Sequence, residues 1–133
     1  MTPQIYKLWC VFSIERERFA GFYPQISRAI LVVHIGKLRP DSKLRDLGYA
    51  IVEDLQIHLS SLLADMSLAN IIGIIRHELG HLCDTNPYIP NTGQEQLADD
   101  IAEFVSGQRI YYDKNDIQTI IPAKYPRPQY LHR

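Results

Sequence analysis

Two histidines four residues apart give this sequence its clearest chemical signal. His77 and His81 lie in the stretch "RHELGHLCD", residues 76–84, and Glu78 directly follows the first histidine. On an α-helix, residues i and i+4 share one face, so both imidazoles can bind the same metal ion. Glu78 lies about 100° around the helix, beside that ion and not on it. The spacing therefore predicts a zinc site with a carboxylate next to it.

The pattern His-Glu-x-x-His on a helix carries a defined hydrolytic chemistry in many metalloproteases. Zinc lowers the pKa of a bound water towards about 7 and polarises the substrate carbonyl, while the glutamate accepts the water proton. We therefore expect one Zn²⁺ per chain, with His77 and His81 as ligands and Glu78 as general base. The alternative is a solvated helix face that carries two histidines without a metal.

A catalytic zinc needs a third protein ligand and an open position for water. The metzincin arrangement is excluded, because Pro87 stands where its third histidine would be and Asp84 where its glycine would be. The acidic residues that remain as candidates are Asp84, Glu95, Asp99 and Glu103. Asp84 lies close to His81 along the same helix, which is an unfavourable position for completing a tetrahedron.

Glu95 has two interpretations from the residues alone. Thr92 to Glu95 spell Thr-x-x-Glu, a helix capping box in which Glu95 would reach back to the backbone of Thr92. The other interpretation is a metal ligand, with Glu95 and Asp99 four residues apart on one helix face. Capping does not explain the Ala98–Asp99 continuation, so both roles stay open at this point.

The two motifs together resemble those of the gluzincin metallopeptidases. "HELGH" at residues 77–81 is followed by "EQLAD" at 95–99. The pair is similar to that of the ImmA/IrrE-like peptidases and the single-domain minigluzincins, and HtpX-like membrane peptidases share the second motif. This resemblance extends over residues 55–105. It implies Glu95 as third ligand and Asp99 as the partner that accepts the remaining N–H of a ligand imidazole.

The resemblance also implies a zincin-like α+β fold. In such a fold, a small mixed or antiparallel sheet packs on the zinc helix, and a second helix supplies the glutamate. An edge strand, here residues 55–60, would line a cleft in which an extended peptide can pair.

Hydrophobic spacing predicts the elements that position these residues. "RAILVVHI", residues 28–35, predicts a buried strand, and the alternation in residues 55–60 predicts a half-buried one with His58 on its polar side. Residues 39–48 predict a turn and a short helix that Gly48 ends. Residues 5–19 fit either a strand or a helix, since Leu8, Phe12, Glu15 and Phe19 follow a helical spacing.

Two further helices are predicted around the motifs. Ser67 is the expected cap of the zinc helix, "LANIIGIIRHELGHLC", in which Cys83 points away from the metal face and packs. The second helix is expected over residues 94–110, with a buried face of Leu97, Ala98, Ile101, Phe104 and Val105.

Composition narrows the class of protein. The chain has 133 residues and a formal net charge of −1, which weighs against a nucleic-acid binder. Its apolar runs are too short to span a bilayer, and two cysteines favour a reduced, cytoplasmic protein. We expect a metallopeptidase domain over residues 1–121 and a proline-rich basic tail over 122–133.

The sequence thus predicts an intracellular zinc endopeptidase that acts on a peptide or protein substrate, without nucleic-acid or membrane partners. The oxyanion donor is unassigned, with Tyr88, Tyr111, Tyr112 and Tyr125 as candidates. One alternative is a catalytically silent zincin-fold module that binds metal for regulation or interaction. Another is a small proteolytic effector from a mobile element.

Overall fold

Three α-helices and a three-stranded mixed sheet make up the part of the chain that the structure describes. This computed structural model describes residues 2–36, 47–84 and 91–110, and for residues 91–94 the backbone alone. The elements are α1 (Pro3–Ala20), β1 (Ile30–His34), β2 (Gly48–Ile51), β3 (Gln56–Ser60), α2 (Leu68–Cys83) and α3 (Asn91–Ser106). Short 3₁₀ helices at Pro24–Arg28 and Ser61–Asp65 precede β1 and α2. The expected α+β class is confirmed.

Some predictions lie outside the described residues. They are the short helix before Gly48, the tail at residues 122–133, and the four tyrosines considered as oxyanion donors.

The N-terminal segment is a helix and not a strand. Thr2 caps it, since its side chain accepts a hydrogen bond from the Ile5 N–H at 3.2 Å, and Pro3 occupies the first turn. The residues at helical spacing, Leu8, Phe12, Glu15 and Phe19, are all buried. Burial of this one face decides between the two interpretations that the sequence allowed.

Strand β3 is the centre of the sheet, so the prediction that residues 55–60 form an edge strand is wrong. It pairs in parallel with β1 and antiparallel with β2, in the order β1-β3-β2. The expected half-burial is also wrong, because His58 is only 9 % exposed. His34 Nε2 and His58 Nδ1 share a hydrogen bond of 2.8 Å. The Tyr49 ring stacks on the His58 ring, with the two ring centroids 4.6 Å apart. Alternation shows which side chains share a face, but not what covers that face.

Among the described strands, β2 lies at the edge of the sheet beside α2, and the sequence did not predict it. Gly48 does not end a helix; it is the first residue of β2 and pairs opposite Leu59. Four residues are too few to show a period, and the extended conformation of this segment depends on its ladder with β3.

Helix α2 begins and ends as predicted, with Ser67 as its cap and Cys83 as its last residue. Most of its side chains are buried, because α1, α3 and the sheet all pack on it. Within the described ranges, no helix combines the length and apolarity needed to cross a membrane.

Helix α3 begins at Asn91, three residues before its predicted start. Its buried face is formed by small or polar residues, namely Ala98, Asp99, Ala102 and Val105. The expected burial of Phe104 is wrong, since that residue is 66 % exposed. Small side chains face the neighbouring helix here because they allow the two backbones to approach closely.

A buried ion pair joins α1 to α2 one residue before the first histidine. Arg76 Nε donates to Glu15 Oε1 at 2.7 Å, and Arg76 Nη1 donates to Gln108 Oε1 at 3.0 Å. Arg76 and Glu15 are both buried. A buried charge that loses its partner is costly, so the pair constrains how α1 lies on α2.

Replacing Glu15 by glutamine should therefore destabilise the fold by about 3 kcal/mol, because the Arg76 charge stays buried without a counter-charge. Urea denaturation followed by circular dichroism measures this loss. The matched control is Glu17→Gln, at an exposed position of the same helix, which should change stability by less than about 0.5 kcal/mol. Equal effects of the two substitutions would contradict the role of the pair.

Candidate metal centre

Helix α2 brings the two histidines of the motif together on one face. Their rings meet edge to face with centroids 4.7 Å apart, and the two Nε2 atoms are 3.2 Å apart. His77 is buried, whereas the His81 side chain is 17 % exposed. The pair therefore presents two imidazole nitrogens to one point at the edge of the core.

Helix α3 adds a carboxylate to this point. Glu95 Oε2 lies 2.7 Å from His77 Nε2, and Glu95 Oε1 lies 3.3 Å from His81 Nε2. Ligand atoms around a tetrahedral zinc are about 3.3 Å apart, because each lies about 2.0–2.1 Å from the ion. The two nitrogens and the carboxylate thus have the chemistry and nearly the spacing of three zinc ligands. The Glu95 side chain is 44 % exposed, which leaves one side of the group accessible from solvent.

The capping-box interpretation of Glu95 does not fit this geometry. Helix α3 begins at Asn91, so Thr92 lies inside the helix and not at the cap position before it. The carboxylate of Glu95 contacts His77 and His81 on the neighbouring helix.

Asp99 lies behind His77, one turn after Glu95 on α3. Its Oδ1 accepts a hydrogen bond from His77 Nδ1 at 2.7 Å, and the residue has no exposed surface. With its proton at Nδ1, His77 directs Nε2 towards His81 and Glu95. This is the supporting position that the sequence resemblance implied for Asp99.

The other acidic candidates have different surroundings. Asp84 is the C-terminal cap of α2, and its backbone N–H bonds to the His81 carbonyl. Glu103 Oε1 accepts from the Ile110 N–H at 3.4 Å, at the far end of α3. Among the four candidates, Glu95 is the one whose described contacts reach both Nε2 atoms.

Glu78 lies between the two histidines and the edge strand. The ligand atoms of His77, Glu78 and His81 are all within 4.8 Å of one another. The carboxylate also borders β2, because a Cβ added at Gly48 would lie 3.4 Å from Glu78 Oε2. Glu78 therefore lies beside the histidine nitrogens, and the three side chains are close enough together to hold one metal ion.

These groups open into a cleft of about 270 Å³. It is lined by Gly48, Tyr49, Ala50, Val52, His77, Glu78, His81 and Glu95. The lining residues from β2 and the turn after it were missed in the sequence. The run Tyr-Ala-Ile-Val after Gly48 favours a strand by composition, but the glycine was interpreted as a helix end.

The contacts among these groups shift their pKa values in opposite directions. Burial lowers the pKa of His77, but hydrogen bonds to Asp99 and Glu95 and the charge of Glu78 outweigh it and raise the pKa to about 9. Burial raises the pKa of Glu95, but its contacts with His77 and His81 outweigh it and hold the pKa below the usual range. Protonated His77 therefore provides a positive charge next to the Glu95 carboxylate.

Cys83 does not belong to the site. Burial raises the pKa of its thiol to about 12, so the reactive thiolate is suppressed at neutral pH. The sequence prediction that Cys83 packs away from the metal face agrees with its burial.

No protein-family model, curated protein or solved structure matches this chain. The assignment of the site therefore depends on its own geometry and on the spacing of its motifs.

Zinc affinity should rise with pH. A metal must displace the proton of His77, whose pKa of about 9 keeps it protonated at neutral pH. Between about pH 7 and pH 8.5 we expect the affinity to increase about tenfold per pH unit and to level off above about pH 9. Competition with a chromophoric chelator of known pH dependence measures this. A zinc affinity that stays constant between about pH 7 and pH 8.5 would contradict the raised pKa of His77.

Removing the partner of His77 should weaken metal binding without removing a ligand. We expect Asp99→Ala to lower zinc affinity by about 10–100-fold, because the orientation of the imidazole is no longer fixed. Isothermal titration with zinc at constant pH gives the value. The neighbouring Asp100→Ala, at an exposed position of α3, is the matched control and should leave the affinity within about twofold. A loss in both variants would show an effect of general charge and not of the hydrogen bond.

Proposed function

We propose that this chain is a zincin-like, zinc-dependent endopeptidase. The observation that carries the proposal is the convergence of His77 Nε2, His81 Nε2 and the Glu95 carboxylate within 3.3 Å of one another. A metal site that serves structure alone has no use for an additional carboxylate beside it. Glu78 provides such a carboxylate at the wall of an open cleft.

The residues divide the work of peptide hydrolysis among themselves. His77, His81 and Glu95 would hold the ion, and Asp99 would keep His77 in the tautomer that leaves Nε2 available. Bound zinc supplies a Lewis acid that acidifies water and polarises a carbonyl. Glu78 accepts the proton of the attacking water and delivers it to the leaving amine. Glu78 lies against β2 at the wall of the cleft, which supports this role.

Strand β2 supports an extended peptide as substrate. Within the described ranges, β2 pairs with β3 along one side, and it lines the cleft next to Glu78. A peptide that adds to the other side of β2 gains main-chain hydrogen bonds with little dependence on its sequence. Gly48 has no side chain and Ala50 has a small one, so this part of the cleft has room for a peptide backbone.

The proposal includes the cellular environment of the protein. Cys10 and Cys83 are free, which favours a reduced, cytoplasmic environment. The partner is a peptide or protein substrate, and neither a nucleic acid nor a membrane is part of the proposal.

The decisive experiment measures bound zinc and peptide cleavage in the same preparations. We expect wild type to carry about one zinc per chain and to cleave members of a peptide library, with activity lost to a chelator and restored by zinc. Glu78→Gln should keep its zinc and cleave at least about 100-fold more slowly. Metal analysis by mass spectrometry and product analysis by liquid chromatography provide the two measurements.

Glu53→Gln, at an exposed position after β2, is the control and should retain both zinc and activity. Wild type without zinc at neutral pH would overturn the proposal entirely. Wild type that binds zinc and cleaves no peptide would leave the catalytically silent metal-binding module as the function.

A further inference from the structure

Helices α2 and α3 approach each other closely at Gly80 and Ala98. A Cβ added at Gly80 would lie 2.2 Å from the Ala98 carbonyl oxygen, 2.9 Å from its carbonyl carbon and 3.0 Å from its Cα. All three atoms belong to the backbone of α3, so no side-chain rotation can relieve the overlap. Ala98 itself has no exposed surface. The absence of a side chain at residue 80 therefore sets the separation of the two helices.

The backbone conformation of Gly80 does not require a glycine. Gly80 lies in the interior of α2 and is not among the glycines with positive φ, which are Gly36 and Gly107. In a helix interior, glycine is less favourable than alanine, because it loses more backbone entropy on folding. The residue thus weakens its own helix, and the packing against α3 offsets that cost.

This contact lies among the groups of the candidate metal centre. On α2, Gly80 directly precedes His81 and follows His77 by three residues. On α3, Ala98 directly precedes Asp99 and follows Glu95 by three residues. A helix moves as a rigid element over this length, so a displacement at Ala98 moves both carboxylates together relative to the histidines.

The displacement that a methyl group would cause is large for a metal site. A carbon and an oxygen in contact are about 3.2 Å apart or more, so α3 would have to move by about 1 Å. Distances from a metal to its ligands are kept within about 0.2 Å of their ideal values. A shift of this size would take Glu95 out of range of the ion and lengthen the Asp99 hydrogen bond to His77.

We propose that Gly80 is a positioning residue of the metal centre, which holds α3 close enough for Glu95 to act as third ligand. This inference rests on the zinc binding proposed above. It assigns a role to the fourth residue of the His-Glu-Leu-Gly-His motif that comes from packing and not from chemistry at the metal.

A double-mutant cycle tests the role, with zinc affinity as its measurement. Glu95→Ala and Gly80→Ala should each weaken zinc by about 10–100-fold. If Gly80 acts through the carboxylates of α3, the fold-loss that Gly80→Ala causes should be clearly smaller in the Glu95→Ala background than in wild type, because one of the two displaced carboxylates is already absent. The visible spectrum of bound Co²⁺ provides a second measurement, and the spectra of Gly80→Ala and Glu95→Ala should agree.

Gly73→Ala is the matched control on the same helix. Gly73 lines a separate cavity of about 220 Å³ that shares no lining residue with the candidate metal centre, so this variant should keep wild-type zinc affinity. If Gly80→Ala does not fold, Ala98→Ser is used in the same cycle, because it enlarges the fully buried side chain of the residue whose backbone meets Gly80.

The outcomes separate this inference from the proposed function. Wild-type affinity in Gly80→Ala, or additive losses in the double variant, would overturn the positioning role while zinc binding stands. Wild type that binds no zinc would overturn the proposed function itself. A Gly73→Ala variant as weak as Gly80→Ala would show that helix glycines act through general flexibility, which also overturns the role.

Discussion

Asp99, which has no exposed surface, lies behind the candidate metal centre. The hydrogen bond that compensates its burial joins α3 to α2. Burying Asp99 in the core would be costly without a partner, and His77 provides that partner through Nδ1. The hydrogen bond crosses from α3 to α2, so it fixes one helix on the other and orients the imidazole in the same contact.

The charges of the site explain why it suits a divalent cation. Glu95 and Asp99 both approach His77, and in the metal-free chain a proton on that ring balances part of their charge. Replacing one proton by a divalent ion adds one positive charge between the same two carboxylates.

Local patterns predicted much of this arrangement. The bounds of α2 follow from a serine cap and an apolar stripe, and the approach of Glu95 to the histidines matches the spacing of two short motifs. The bounds of α2 depend on residues near one another in the chain, whereas the roles of Glu95 and Asp99 were expected from the resemblance of the two motifs to a known family.

Features that depend on distant neighbours were not predicted. The central place of β3 and the existence of β2 are set by strand pairing, which the alternation of residues 55–60 does not contain. Phe104 was expected inside because it is large and apolar, yet the face of α3 that approaches α2 needs small residues. The close contact at Gly80 was not predicted for the same reason, because a hydrophobic pattern does not show where two backbones approach each other.

The ion pair between Glu15 and Arg76 has a consequence for what counts as the working unit. The motifs lie within residues 55–105, and a fragment of that length contains every proposed ligand. Such a fragment would nevertheless leave the Arg76 guanidinium next to His77 without its counter-charge, and it would expose the apolar face of α2 that α1 covers. Helix α1 contributes none of the candidate ligands, but it therefore supports the helix that carries His77 and His81.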